Sequence, residues 1–172
     1  AGLGQAPARQ AAIGGGLSET TECMTINKVC GSGLKSIMLA DQSIKTMNSN
    51  SVIAGGMENM SLAPYYAVNA RKGKGFGHDS LIDSIMHDGL FDPYNNLLMG
   101  KCAEKLCLEN NYSRDQQDEY AIQSYERANY AIKKGLFKNE ICGVEVKNKK
   151  TTLYINQDEE PLKFNKEKIL NL

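Results

Sequence analysis

This chain carries no excess of charge: 20 Lys and Arg balance 20 Asp and Glu. A protein that coats a polyanion needs a net positive field, so nucleic acid is not an expected partner of the chain as a whole, although a local basic patch survives a zero sum. No apolar run approaches the roughly 20 residues that a membrane-crossing helix requires, which excludes a membrane as partner. The five cysteines (Cys23, Cys30, Cys102, Cys107 and Cys142) are odd in number and include no Cys-x-x-Cys pair. This argues for a reducing compartment, with most thiols serving as small buried hydrophobes rather than metal ligands. Histidine is scarce, and His78 and His87 read as surface or capping residues. There is no internal repeat and no low-complexity tract, so repeat architectures are excluded.

What is present is ordinary for a globular chain: 172 residues with 41% hydrophobic and 23% charged, enough for one compact domain or parts of two. The chain opens at Ala1 without an initiator Met or a targeting segment, and closes on Lys168-Ile169-Leu170-Asn171-Leu172 in what reads as a continuing element. The expectation is a piece of a longer protein, whose compartment, mitochondrial or cytoplasmic, this stretch does not reveal.

The run Asn27-Lys28-Val29-Cys30-Gly31-Ser32-Gly33 is the most informative stretch. It places one cysteine between an apolar segment and a glycine pair, directly before an amphipathic pattern, and so predicts a thiol on the first turn of a helix. Free N–H groups and the positive end of the helix dipole there favour a thiolate and can hold an oxyanion. Cys30 is therefore the candidate nucleophile, a sulfur that carries acyl groups. The other four cysteines keep a structural reading.

Around Cys30 the patterning predicts a helix from Pro7 to Ile13, a strand from Thr21 to Val29, and a helix from Ser32 to Met47. The apolar face of the second helix would be Leu34, Ile37, Met38, Ile44 and Met47. Ser51 to Gly56 reads as a short buried strand, completing an α/β unit with a right-handed crossover. Texture changes near Pro64, where a loop-rich segment with the basic run Arg71 to Gly77 begins. Within it, Gly73-Lys74-Gly75-Phe76-Gly77 resembles a phosphate cradle only loosely and reads as a solvated loop. Ala103 to Glu109 reads as helix. Ser113 and Gln116 form a capping box for a helix from Arg114 to Lys134, with Ala121, Tyr125, Ala128 and Ile132 along one side and Gly135 as its C-cap. Glu140–Val146 and Thr151–Ile155 read as strands.

The stretches Gly4 to Ala11, Thr25 to Gly33, Ala54 to Ser61 with Pro64-Tyr65, and Asp88-Gly89-Leu90 lie in one order with Met99 to Glu104, Ser113 to Asp118 and Gly135 to Ile141. In that order they resemble the thiolase family of acyl-CoA acetyltransferases. The resemblance covers about the first 145 residues and is closest to the acetoacetyl-CoA branch. It implies an α/β thiolase-like fold. Residues 1–63 would form part of the N-terminal core domain, and residues 64–172 part of an inserted loop domain.

The resemblance also implies a chemistry: Cys30 takes an acyl group from acyl-CoA, and a second acetyl-CoA attacks the resulting thioester. Leu98 and Met99 fall at the substrate-binding position, and Leu98 stands where the family usually has His. Lys105 likewise replaces a common Asn. Asn59 stands where many members have Ser. Tyr125 and Lys166 match positions beside coenzyme A, and Tyr125 matches one beside a potassium ion. No other cofactor is implied. The substrates would be acetyl-CoA and acetoacetyl-CoA, and the assembly a homodimer or homotetramer, with the Gly55-Gly56 pair permitting close strand packing at a subunit interface.

The family's Gly-His-Pro motif, second catalytic Cys and oxyanion-hole Asn are not found in this sequence, so the chain alone is expected not to turn over. The alternatives are a ketoacyl synthase of the same fold and a non-catalytic interaction module.

Overall fold

The computed structural model describes residues 2–73, 75–147 and 151–171. They divide after Cys102 into two compact units. The first opens with helix α1 (Pro7–Gly14), which has Pro in its first turn, where a missing N–H costs nothing. Helix α2 (Ser32–Lys45) follows. Two antiparallel ribbons come next, each two residues a strand: β1 (Tyr65–Tyr66) with β2 (Ile82–Asp83), and β3 (Phe91–Asp92) with β4 (Leu97–Leu98). A π-helical turn, Met86–Leu90, joins the ribbons. Helix α3 (Met99–Glu109) leads to α4 (Arg114–Lys133), the hairpin β5 (Val144–Lys147) and β6 (Thr152–Ile155), and the short helix α5 (Lys166–Leu170).

Two expected strands are not formed. Neither Thr21–Val29 nor Ser51–Gly56 joins a sheet among the described residues, because a strand needs a ladder partner and none is supplied. Side chains hold these segments instead. The Ala8 N–H donates to Thr25 Oγ1 at 3.1 Å, and the Arg9 guanidinium donates to the carbonyls of Thr21 and Glu19 at 3.2 and 2.8 Å. The Ser36 hydroxyl reaches Gly55 O at 2.9 Å, and Ser43 Oγ reaches Ser49 Oγ at 3.0 Å.

The apolar face predicted for α2 is also not covered. Leu34, Ile37, Met38, Ile44 and Met47 are exposed, Met47 by 90%. Helix α2 packs through its small residues, because Gly33, Ser36 and Ser43 lie on the side that meets residues 49–56 and let the two backbones close. No hydrophobic side chain among the described residues is fully buried. The cysteines follow suit: all five thiols are free, with Cys23, Cys102 and Cys107 half-buried and Cys30 and Cys142 exposed, rather than mostly buried as expected.

The loop-rich stretch contains one side-chain cluster that the sequence did not announce. Asp88 accepts from the Tyr66 hydroxyl and lies 2.7 Å from His87 Nδ1, tying β1 to the π-helical turn. These two bonds, Tyr66 first, hold the Asp88 carboxyl below its usual range. In the basic run Arg71 to Gly77, Gly73 and Gly77 adopt positive φ, a turn geometry open to glycine, and Lys74 lies outside the described residues.

In the second unit the expected capping box closes α4: Gln116 N–H donates to Ser113 Oγ at 3.2 Å, and Ser113 N–H to Gln116 Oε1 at 2.9 Å. Gly135 ends the helix at φ +66°, as expected. Ala121, Tyr125, Ala128 and Ile132 are half-buried together. Asp118 is the buried charge among the described residues of this unit. It accepts from Arg114 Nε at 2.8 Å, and the same guanidinium donates to Ile169 O, linking α4 to α5. Strand β5 starts later than expected because the turns after Gly135 continue to Ile141.

A Cβ placed on Gly56 lies 3.2 Å from Gly33 Cα, whereas one on Gly55 meets nothing within 4 Å. Gly56→Ala is therefore expected to lower the thermal unfolding midpoint, at an overpacking cost of about 1–3 kcal/mol, while Gly55→Ala leaves it nearly unchanged. Circular dichroism melts of the two variants check this.

Candidate active site

The Cys30 turn is knit by its neighbours' side chains. Val29 sits at φ +50°, a region that a β-branched residue rarely enters. Its N–H donates to Asn27 Oδ1 at 2.9 Å, and its carbonyl accepts from the Ser32 hydroxyl at 2.7 Å and from the Ser32 N–H at 3.1 Å. The Lys28 N–H donates to Ser32 Oγ at 2.9 Å. Gly31 is the N-cap of α2, and the first bond into the helix is Lys35 N–H to Gly31 O at 2.9 Å. Cys30 thus stands one residue before the cap rather than on the first helical turn, because the left-handed step at Val29 delays the helix. Cys30 is exposed.

Leu98 and Met99 mark the passage from ribbon to helix. Leu98 ends β4 opposite Phe91, Met99 begins α3, and both side chains are exposed. The β3–β4 turn is fixed by Asp92, whose carboxylate accepts from the N–H groups of Tyr94 and Asn95, each at 3.1 Å, and from Asn95 Nδ2 at 2.6 Å. These bonds, the Asn95 side chain foremost, hold the Asp92 carboxyl below its usual range.

Tyr125 and Lys166 lie in the second unit, on the side of α4 that meets the last segment. The Tyr125 ring stacks on Phe164, with centroids 5.2 Å apart and planes at 20°. Its hydroxyl donates to Glu160 Oε1 at 2.9 Å, and the Lys163 ammonium sits 2.8 Å from Glu160 Oε2. Lys163, then Tyr125, hold the Glu160 carboxyl low, and the carboxylate in turn raises the Tyr125 hydroxyl above the ordinary phenol value. Lys166 opens α5 behind its N-cap Asn165 and borders a shallow hollow with Asp118, Glu119, Ile122, Glu126 and Leu170.

Where the sequence raised potassium, the Glu160 carboxylate already holds the Lys163 ammonium and accepts from the Tyr125 hydroxyl. Among the described residues no group of three or more His, Cys, Asp or Glu is placed to share a metal ion. The sequence reading missed Asn27 and Ser32 as clamps on Val29. It also missed Glu160, Lys163 and Phe164 as partners of Tyr125, although Phe164 and the acidic run ending at Glu160 were visible beside Lys166.

The family model for the thiolase N-terminal domain matches residues 1–172. The chain is 53% identical over 172 residues to an acetyl-CoA acetyltransferase of Yarrowia lipolytica, covering all of this chain and 43% of that protein. It is 49% identical over 176 residues to acetyl-CoA acetyltransferase 2 of Arabidopsis thaliana, again covering 100% and 43%. The crystal structure of Acat5 thiolase from Ascaris suum in complex with coenzyme A superposes with a TM-score of 0.88 at 38% identity, over 100% of this chain and 43% of that one. The chain belongs to the thiolase family and has a thiolase-like α/β fold. It spans less than half the length of each of these proteins, of which the Yarrowia and Arabidopsis relatives are named as acetyl-CoA acetyltransferases. No helix among the described residues is long and apolar enough to cross a membrane.

The raised Tyr125 hydroxyl favours the folded chain below the ordinary phenol range, a contribution lost as pH rises through the raised value. Glu160→Gln is expected to move the Tyr125 titration downward, as read by ring-carbon NMR. An unmoved titration would show that Glu160 is not the cause.

Proposed function

We propose that this chain carries the acyl-accepting part of an acetyl-CoA acetyltransferase and that Cys30 is its nucleophile. The observation that carries the reading is an exposed cysteine directly after a left-handed residue and one residue before the N-cap of a helix, in a chain matched along its whole length by the thiolase N-terminal domain.

The Cys30 sulfur adds to the thioester carbonyl of acyl-CoA, and the C–S bond to coenzyme A breaks. Coenzyme A departs as a thiolate that takes up a proton. The α-carbon of a second acetyl-CoA, having lost a proton, then attacks the Cys30 thioester. A C–C bond forms, the bond to Cys30 breaks, and acetoacetyl-CoA leaves; thiolysis is the reverse. The Cys30 N–H is a candidate oxyanion donor. The base and the second acid–base group would come from the part of the relatives' length that this chain does not span.

Leu98 and Met99 are assigned to the acyl pocket. The apolar Leu98 there offers packing where a His would offer a hydrogen bond. Tyr125 and Lys166 are assigned to the coenzyme A side, with Lys166 as a partner for an anionic group. A potassium ion beside Tyr125 belongs to the same proposal; the Glu160 carboxylate there is shared by the Tyr125 hydroxyl and the Lys163 ammonium. The domain division, residues 1–63 as core and 64–172 as loop domain, the homodimer or homotetramer, and a mitochondrial or cytoplasmic site of action belong to the same proposal. A ketoacyl synthase would share the fold, but the family match is to thiolase.

The test is acyl transfer onto the chain. Incubated with acetyl-CoA, Cys30 is expected to gain one acetyl group well ahead of Cys142, which is also exposed, without turnover, and Cys30→Ser is expected to abolish the adduct. Mass spectrometry of the digested chain reads both. Acetylation spread evenly over Cys30 and Cys142 would overturn the assignment.

A further inference from the structure

We infer that Ser32 is a positioning residue: its hydroxyl holds Val29 in the left-handed region and so sets where the Cys30 sulfur stands. Its relevance to acyl transfer rests on the function proposed above, whereas the geometry does not.

Ser32 is the first residue of α2, one past its N-cap Gly31, and a glycine has no side chain with which to cap. The hydroxyl points back into the preceding turn, accepting from the Lys28 N–H at 2.9 Å and donating to Val29 O at 2.7 Å. Asn27 takes the Val29 N–H at 2.9 Å, so the Val29 residue is held at both its N–H and its carbonyl. Such restraint is what a left-handed valine requires. Residues persist in sparsely populated backbone regions only when their surroundings over-determine them.

The frame behind the clamp is firm. Ser32 is followed by Gly33, whose backbone meets Gly56, and then by Ser36, whose hydroxyl bonds both Gly33 O at 2.6 Å and Gly55 O at 2.9 Å. The Val29 carbonyl is thus held from a fixed helix start by two donors, the Ser32 hydroxyl at 2.7 Å and the longer Ser32 N–H at 3.1 Å. If the hydroxyl is lost, Val29 relaxes toward negative φ and swings the next residue, Cys30.

The experiment is a double-mutant cycle on this chain, combining Ser32→Ala with Val29→Gly. The readout is the alkylation rate of Cys30 by iodoacetamide, with Cys142 as comparator. Ser32→Ala is expected to change the Cys30 rate by about tenfold, the scale of one strained residue, and to leave Cys142 and the helical circular dichroism unchanged. Ser32→Thr, which keeps the hydroxyl, should restore the rate. In the Val29→Gly background Ser32→Ala should have little further effect, because glycine takes φ near +50° without help. Equal effects of Ser32→Ala with Val29 or Gly at position 29, or no effect at all, would overturn the inference.

Should Ser32→Ala lose its helical signal, Asn27→Ala carries the same cycle, since it frees the other end of the Val29 peptide from outside the helix. The two readings fail separately. A normal cycle with no acetyl transfer to Cys30 refutes the acyltransferase reading alone, and acetyl transfer that ignores the cycle refutes the positioning role alone.

Discussion

The approach of two backbones governs the first unit. Helix α2 lies against residues 55–56 because neither Gly33 nor Gly56 has a Cβ, and a carbon added to Gly56 would lie 3.2 Å from Gly33 Cα. That contact fixes the start of α2. The start of α2 fixes the Ser32 hydroxyl, and the hydroxyl fixes a valine in a region it would otherwise leave. The nucleophile candidate inherits its place from this series of contacts rather than from a hydrophobic core, since no apolar side chain among the described residues is fully buried. Small residues here do what large ones do elsewhere: they bring elements into register by removing bulk.

The second unit is ordered by polar contacts in a different way. A capping box fixes where α4 begins, and Asp118 shares one guanidinium with the carbonyl at the end of α5. Glu160 sits between a phenol and an ammonium and gathers Tyr125 and Lys163 on one carboxylate. Each pair alone is modest at such exposure. Together with the Tyr125–Phe164 stack they keep residues 160–170 along α4. This is how an otherwise unremarkable helix side comes to present a ring, an ammonium and an acidic hollow within a few residues of one another.

Local features are legible in the sequence, and features that depend on distant partners are not. The extent of α4 follows from Ser113, Gln116 and Gly135, because capping chemistry acts within one turn. Helix α1 follows from Pro7 in the same way. The hairpin β5–β6 is found close to its expected place. Thr21–Val29 and Ser51–Gly56 carry β-prone residues, yet strand formation needs a neighbour, and propensity cannot supply one.

The site divides along the same line. Cys30 stands out through its glycine setting. That it precedes the cap instead of occupying the first turn depends on the φ of Val29, which no preference of valine foretells. The partner of Tyr125, Glu160, lies 35 residues away, beyond the reach of any pattern along α4. The pairing of Tyr66 with Asp88 spans a loop of the same hidden kind.

The uncovered stripe on α2 has a consequence for how the chain behaves in solution. Leu34, Ile37, Met38 and Ile44 on the helix, with Met47 just past its end, are all open to water. The isoelectric point near 6.9 leaves almost no like-charge repulsion between molecules at neutral pH. Colloidal behaviour is therefore governed by stickiness. Clouding should set in with rising concentration and warmth, and it should recede when the buffer is moved away from neutrality in either direction, as each molecule regains a charge to hold its neighbours off.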